Sequence, residues 1–522
     1  MRSRCVGPGR RRAWLLLVVS SLALVLGVGG ASGNPHPGGR SAEWPVVADF
    51  NRDGRPDLAV LTGTAGDGTY QLSVLLGDGN GGFRNAPGSP FTVGQTAAGF
   101  AVGDFNEDGR PDIVVGNSLG KAVLLLGSRR GRFQRAGWSP FTMPNFGAVG
   151  VGDFNGDGHL DLVVSSQNAQ GQTLIHTLPG DGQGHFTNGP TTLVSVPDNS
   201  QEFGANDSLV PGDFNADGYL DLAYAYGPDI SCMSCSPGPY PHGALDVMLG
   251  DGHGGFHEAP GSPYPGGINV EAGYDAYNPV VADFNGDGYS DIAQDDYNWT
   301  TGSGTARVLL GGPTGQLKSA PGSPFAIPFP GSLATGDVNG DGHLDLVSAN
   351  PDPRAHGKPG YAVLLGDGTG GFRDAPGSPW PLSLCQDAGS ALADFNHDGR
   401  TDLVVADRGC GNAAPGGLRI LLAGPLVALT VPARIRAGAP VRLSVTAVKR
   451  CEFMGAAITD YRWDLGSGHF TIDSHTTPSI RVTFHRAGLH KVRLKVTDSA
   501  GHTTTRTKRL HVLPRRTGQH RT

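Results

Sequence analysis

The sequence predicts an all-β chain, a seven-bladed β-propeller followed by a small β-sandwich. Three observations predict it. A nine-residue pattern rich in aspartate and glycine recurs seven times between Asp49 and Asp402. Short apolar runs flank the copies, as in Pro45-Val-Val-Ala48 before the first and Leu58-Ala-Val-Leu61 after it. Beyond Gly424 the pattern stops, and alternating runs such as Val441-Arg-Leu-Ser-Val445 and Val492-Arg-Leu-Lys-Val496 replace it. A long period with small insertions marks a propeller or solenoid. Alternation with period two marks half-buried strands.

The chain opens on what reads as an export leader. Arg2, Arg4 and Arg10 to Arg12 precede an apolar run from Trp14 to Val28, with small residues from Gly29 to Gly33. That run is short for a bilayer span. The expectation is a signal peptide over residues 1–33, a secreted, extracellular mature chain and no membrane span after the signal is removed. A retained anchor is the alternative. The formal charge of −7 becomes −12 once the leader's five arginines are gone. Such acidity argues against nucleic acid as a partner, which favours a basic surface. The 83 glycines and 39 prolines recur at fixed places in the repeat and so mark turns.

The first loop is Asp49-Phe-Asn-Arg-Asp-Gly-Arg-Pro-Asp57, and successive copies start 49 to 70 residues apart. Asp49, Asn51, Asp53 and Asp57 offer side-chain oxygens at loop positions 1, 3, 5 and 9, and Arg55 a backbone carbonyl at position 7. The second loop places Asp104, Asn106, Asp108, Arg110 and Asp112 at the same five positions, and the third Asp153, Asn155, Asp157, His159 and Asp161. The fourth has Asp213, Asn215, Asp217, Tyr219 and Asp221, and the fifth Asp283, Asn285, Asp287, Tyr289 and Asp291. The sixth has Asp337, Asn339, Asp341, His343 and Asp345, and the last Asp394, Asn396, Asp398, Arg400 and Asp402. Oxygen donors at this spacing, with glycine at position 6 for the sharp turn, describe a calcium loop. Three carboxylates within about 4 Å would repel by about 4 kcal/mol per pair at an effective dielectric near 20, a cost that a cation removes. Up to seven calcium ions are expected. The alternative is a set of metal-free polar turns, since Asp, Asn and Gly favour turns anyway.

The rest of the repeat completes a four-stranded blade. A second apolar run ends in a glycine turn at Val74–Phe83, Val247–Phe256 and Val363–Phe372. The segment Ala86-Pro-Gly-Ser-Pro-Phe91 then leads to the next repeat, recurring at Ala259 to Tyr264, Ala320 to Phe325 and Ala375 to Trp380. The Phe at loop position 2, replaced once by Val338, is expected to pack between blades. On these residues the stretch 41–424 resembles the FG-GAP/VCBS-type repeats of integrin-like propellers. The last repeat departs from that pattern. Leu418-Arg-Ile-Leu-Leu-Ala-Gly424 lacks the glycine–Phe turn and the fourth strand, so ring closure falls to residues near Ser41 or to the segment after Gly424.

Residues 425–513 form the expected sandwich. Tyr461-Arg-Trp-Asp-Leu-Gly-Ser-Gly468 and the stretch from Gly488 to Gly501 resemble the PKD domain, with Gly466-Ser467-Gly468 where that family usually has Gly-Asp-Gly. The resemblance implies a spacer or adhesion module. The basic tail, residues 514–522, is expected to be disordered. Cys385 and Cys410 flank the last loop almost symmetrically about Asp398, which suits a disulfide across a hairpin in an exported protein. Cys232 and Cys235 fit a local disulfide better than a redox motif or half a zinc site, and Cys451 is left unpaired.

Strand alternation puts the calcium loops and the glycine turns on one face. The long insertions fall on the other, at Tyr224 to Ala244, Pro260 to Pro279 and Asp295 to Trp299. There Tyr240, Tyr264, Tyr274, Tyr277, Tyr297 and Trp299, beside Glu271, Asp275, Asp295 and Asp296, suit a glycan or peptide cleft. The alternative is that they pack the long loops. The first functional reading is therefore a binding or adhesion module for an extracellular glycan or protein ligand, and a scaffold for an assembly is a third. Paired carboxylates also suit glycoside chemistry, so a polysaccharide-active lyase or hydrolase is the second. No catalytic residue is assigned, and the sequence has no Gly-x-Ser-x-Gly, His-Glu-x-x-His or phosphate loop.

Overall fold

The computed structural model describes residues 41–515, apart from 64–68, 96, 118, 145–147, 169, 171, 195–207, 227–243, 266–278, 299–302, 329–330, 351–359, 383–386, 410–414, 424–425, 450–457 and 499–502. Up to Leu421 its strands form seven antiparallel sheets, each built around one aspartate loop. In the first, Ser41–Ala48 pairs with Asp57–Gly63, and that strand pairs with Thr69–Gly77. The aspartate loop joins the first two strands, and the turn at 78–82 leaves from the same end of the sheet.

The outer edge of the blade differs from the expectation. Thr69–Gly77 pairs not with one fourth strand but with two short ones, Phe83–Asn85 beside its end and Phe91–Gln95 beside its start. The segment Ala86-Pro-Gly-Ser-Pro90 is the break between them rather than a link to the next repeat. Its prolines have no N–H for the ladder. A serine takes over: Val74 N–H, at the break, donates to Ser89 Oγ at 2.9 Å. Leu124 does the same with Ser139, Val247 with Ser262, Val308 with Ser323 and Val363 with Ser378. Ala136-Gly-Trp-Ser-Pro-Phe141 is thus a further copy of the break that the sequence reading passed over.

Adjacent sheets interlock through the Phe at loop position 2. Phe50 meets Phe133 of the second sheet edge-on at 5.6 Å, Phe105 meets Phe186 of the third, Phe154 meets Phe256 of the fourth, and Phe284 meets Phe372 of the sixth. Phe214 shares a buried cluster with Leu317 of the fifth sheet, and Val338 one with Leu403 and Leu421 of the seventh. Phe395 of the seventh sheet meets Phe83 of the first at 5.6 Å, so the series returns to its start.

Of the two expected closures, the one through the first strand, Ser41–Ala48, is seen. The seventh sheet has three strands, Asp387–Ala393, Asp402–Gly409 and Pro415–Leu421, and no other described strand joins it. Closure is by packing instead: Val47 and Leu58 bury against Ala391, Phe395 and Val404, and Gly81 N–H donates to the Phe395 carbonyl at 3.0 Å. The arrangement is propeller-like, with its core distributed between successive sheets.

The remaining strands make two further sheets, Leu426–Thr430 with Pro440–Lys449 and Ser479–Thr483, and a five-stranded sheet centred on Gly488–Asp498 and Thr503–Leu513. They enclose Trp463, Leu443, Leu494 and Leu510, all fully buried. Among the described residues no helix is long and apolar enough to cross a membrane.

Candidate metal-binding loops

The seven loops share one hydrogen-bonded frame. In each, the position 1 carboxylate accepts the N–H groups of positions 5 and 6: Asp53 and Gly54 donate to Asp49 at 3.0 and 2.7 Å. The same pair of bonds recurs at Asp104, Asp153, Asp213, Asp283, Asp337 and Asp394. Position 4 has a positive φ throughout, with glycine at Gly156, Gly286 and Gly340 and other residues at Arg52, Glu107, Ala216 and His397. This left-handed step favours glycine. It brings the position 1 carboxylate over the backbone it binds.

Position 9 behaves differently. Asp57 is fully buried, and its Oδ1 accepts the Gly77 N–H at 2.7 Å. Asp112, Asp161, Asp221, Asp291, Asp345 and Asp402 repeat this with Gly127, Gly180, Gly250, Gly311, Gly366 and Ala423. Their Oδ2 atoms accept the N–H of position 2, as Phe105 donates to Asp112 at 3.1 Å. The expected crowd of three carboxylates is therefore a correction: among the described residues no loop brings three of them within 4.8 Å of one another. The reason is that the ninth carboxylate is drawn into the blade to satisfy two backbone donors, which otherwise would be buried without partners.

Burial, with a smaller push from the acids at positions 1 and 5, raises Asp57, Asp112 and Asp221 to about 7 against the bonds they accept. Asp161, Asp291 and Asp345 rise to about 6 from the same burial, and Asp402 is raised well above the usual range. In the first six loops the side chains of positions 1, 3 and 5 stay partly or fully exposed. In the third to sixth loops the asparagine accepts the N–H of position 5 and donates to its carboxylate, as Asn155 does with Asp157 at 2.8 and 2.9 Å. In the seventh, Asn396 is 1% exposed and its Oδ1 has no hydrogen-bond partner. A donor set of carboxylate, amide and carbonyl oxygens fits calcium, and an orphaned buried oxygen fits a cation in that loop.

The residues expected to line the opposite face divide. Tyr240, Tyr274, Tyr277 and Trp299, with Glu271 and Asp275, lie outside the described residues, as do the cysteines Cys385 and Cys410, the pair Cys232 and Cys235, and Cys451. Tyr224, placed at the start of an insertion, sits in the strand Asp221–Tyr226 and is fully buried. Asp295 belongs to the strand Asp291–Asn298 and is also buried. Asp296 and Tyr297 follow it in that strand. Tyr264 is tied into the sheet interface, its hydroxyl accepting the Leu317 N–H at 2.7 Å. Here the packing alternative describes it.

One buried acid escaped the sequence reading. Asp246, inside the apolar strand Ala244–Gly250, accepts a bond from Ser262 Oγ at 3.0 Å, and burial raises it to about 7. A carboxylate where the second and sixth repeats carry Val123 and Ala362 was the available signal. In the sandwich, Asp460, Asp473 and His475 approach within 4.8 Å, but Arg462 lies 2.8 Å from Asp460 and already supplies a cation.

Comparison with known families decides the relationship. A family model described as the FG-GAP-like repeat matches residues 49–115, 104–164, 153–224 and 337–405, and the PKD domain matches residues 427–511. The chain carries FG-GAP-like repeats and a C-terminal PKD domain. The matched FG-GAP-like segments hold six of the loops, and the fifth, from Asp283, lies outside them yet has the same frame. Solved structures similar to this FG-GAP-repeat chain include the extracellular domain of a hybrid two-component system from B. thetaiotaomicron, at 9% identity and a TM-score of 0.31, covering 93% of this chain. The chain spans 57% of that protein's length. Also similar are a glycoside hydrolase (13% identity, 75% of this chain and 89% of that one, TM-score 0.27) and the sucrose-6-phosphate hydrolase of Lactobacillus gasseri (10%, 93% and 90%, 0.25). Superpositions this loose bear on neither ligand nor chemistry.

Proposed function

We propose that this chain is a secreted, calcium-stabilised, seven-bladed propeller that binds an extracellular glycan or protein ligand on the face opposite its loops. The observation that carries the reading is the shared frame of the seven loops, in which positions 1 and 9 serve the backbone of the blade. Loops committed in this way are structural parts. Calcium, when bound, would supply positive charge to the oxygens of positions 1, 3, 5 and 7 and so lock each hairpin.

Two measurements test this. Chelator should lower the melting temperature of the full chain and added calcium should restore it, because a ligand that binds only the folded state stabilises by about 2.7 kcal/mol per site at a hundredfold excess. An unchanged melting temperature sinks the metal assignment. A screen of glycans and extracellular proteins should then yield binding without product on prolonged incubation. Sugar release that disappears in Asp295→Ala would replace the binding module with the hydrolase or lyase reading.

A further inference from the structure

The seventh loop is unlike the other six. Its asparagine, Asn396, is buried, whereas Asn51, Asn106, Asn155, Asn215, Asn285 and Asn339 are all partly exposed. Its Asp398 is partly buried, whereas the acids at position 5 of the other loops are exposed. The second domain reaches this loop. Arg506, on the strand Thr503–Leu513, donates from Nη2 to the Asn396 carbonyl at 3.4 Å, and its charge acts on Asp398 beside that of Arg400. Topology explains the encounter. The seventh sheet stops after its third strand, whose end lies on the loop face, so the chain passes into the sandwich beside this loop. A fourth strand would have carried the exit to the other face.

We propose that the seventh loop is the joint between the two domains: Arg506 supplies there part of the positive charge that the other loops take from a cation. The loop keeps an oxygen donor set, and Asn396 Oδ1 still lacks a partner, so a cation can enter it. It does so against the field of Arg506. The seventh loop then holds calcium more weakly than its six counterparts. Because coupling between two bound groups is reciprocal, calcium in this loop loosens the seat of the sandwich. The inference rests on the calcium reading of the loops.

The test is a calcium titration of the metal-free full chain, followed by calorimetry and repeated with terbium luminescence. Wild type should show one site weaker than the rest. Arg506→Gln should tighten that site on the order of tenfold, as removal of a unit charge near a divalent ion requires. Arg506→Lys, which keeps the charge, should leave it weak, and Asp398→Asn should delete it without touching the tighter class. Near-ultraviolet circular dichroism checks that each variant keeps its packing. Seven equal sites, or a weak site unmoved by Arg506→Gln, overturn the joint while leaving the calcium reading intact. No calcium binding in any loop overturns both.

Discussion

At the scale of single residues, the ninth loop carboxylate and the glycine it binds form a matched pair. A Cβ on Gly250 would stand 2.2 Å from the Leu220 carbonyl oxygen, and the same contact, at 2.1 to 2.4 Å, faces Gly77, Gly127, Gly180, Gly311 and Gly366. Only Ala423 departs, where no glycine turn or fourth strand follows. Gly250→Ala is expected to cost about 1–3 kcal/mol, the usual range for an overpacked site, while Ala423→Gly changes little. Thermal denaturation of the two variants side by side checks this, and equal melting points would contradict it. In the sandwich, Asp464 is buried, and burial alone would raise it. The N–H groups of Gly466 and Ser467 and the Arg493 guanidinium outweigh that and hold it at about 2. A carboxylate depressed on folding stabilises above its unfolded value, near 3.9, and that contribution is lost as pH falls toward 2. Acid titration of Arg493→Ala should show a smaller loss of sandwich stability across that window than wild type.

At the scale of the element, the blade's outer strand is broken by a Ser-Pro turn, and the serine hydroxyl carries the load. Ser378 Oγ accepts the Val363 N–H at 3.1 Å. Ser378→Ala leaves that donor unpaired in a half-buried ladder, and the cost should be about 1–3 kcal/mol. Urea unfolding measures it, and a change under about 0.5 kcal/mol, the range for an uninvolved surface site, would show that water takes the serine's place. The sequence reading saw the turn but assigned it to the link between repeats. Local composition marks a turn equally well in either place. What decides is that Ala86 and Ser89 come back to Val74, twelve and fifteen residues earlier in the chain.

At the scale of the whole molecule, the ring closes by side-chain packing. Phe395 faces Phe83 as Phe154 faces Phe256, although one pair links the last sheet to the first and the other links neighbours. Phe395→Ala should therefore cost as much as Phe154→Ala, about 3–5 kcal/mol for a buried aromatic. A much milder effect of Phe395→Ala on the unfolding midpoint would mean that the first and seventh sheets part readily.

The sequence by itself determined the seven loops, their strands and the aromatic at position 2. These follow from chemistry confined to nine residues and from a pattern of period two. It also marked the seventh repeat as short. Only the tertiary structure decided where the ninth carboxylate turns, because its partners, such as Gly77 for Asp57, lie twenty residues away on another strand. The same holds for the closure between Val47 and Phe395, and for Arg506 over Asn396, across 110 residues. Such contacts join surfaces that no local rule pairs, since packing and desolvation depend on which sheets become neighbours. A repeated loop is thus legible seven times over, while its seventh copy becomes a different site through what is folded against it.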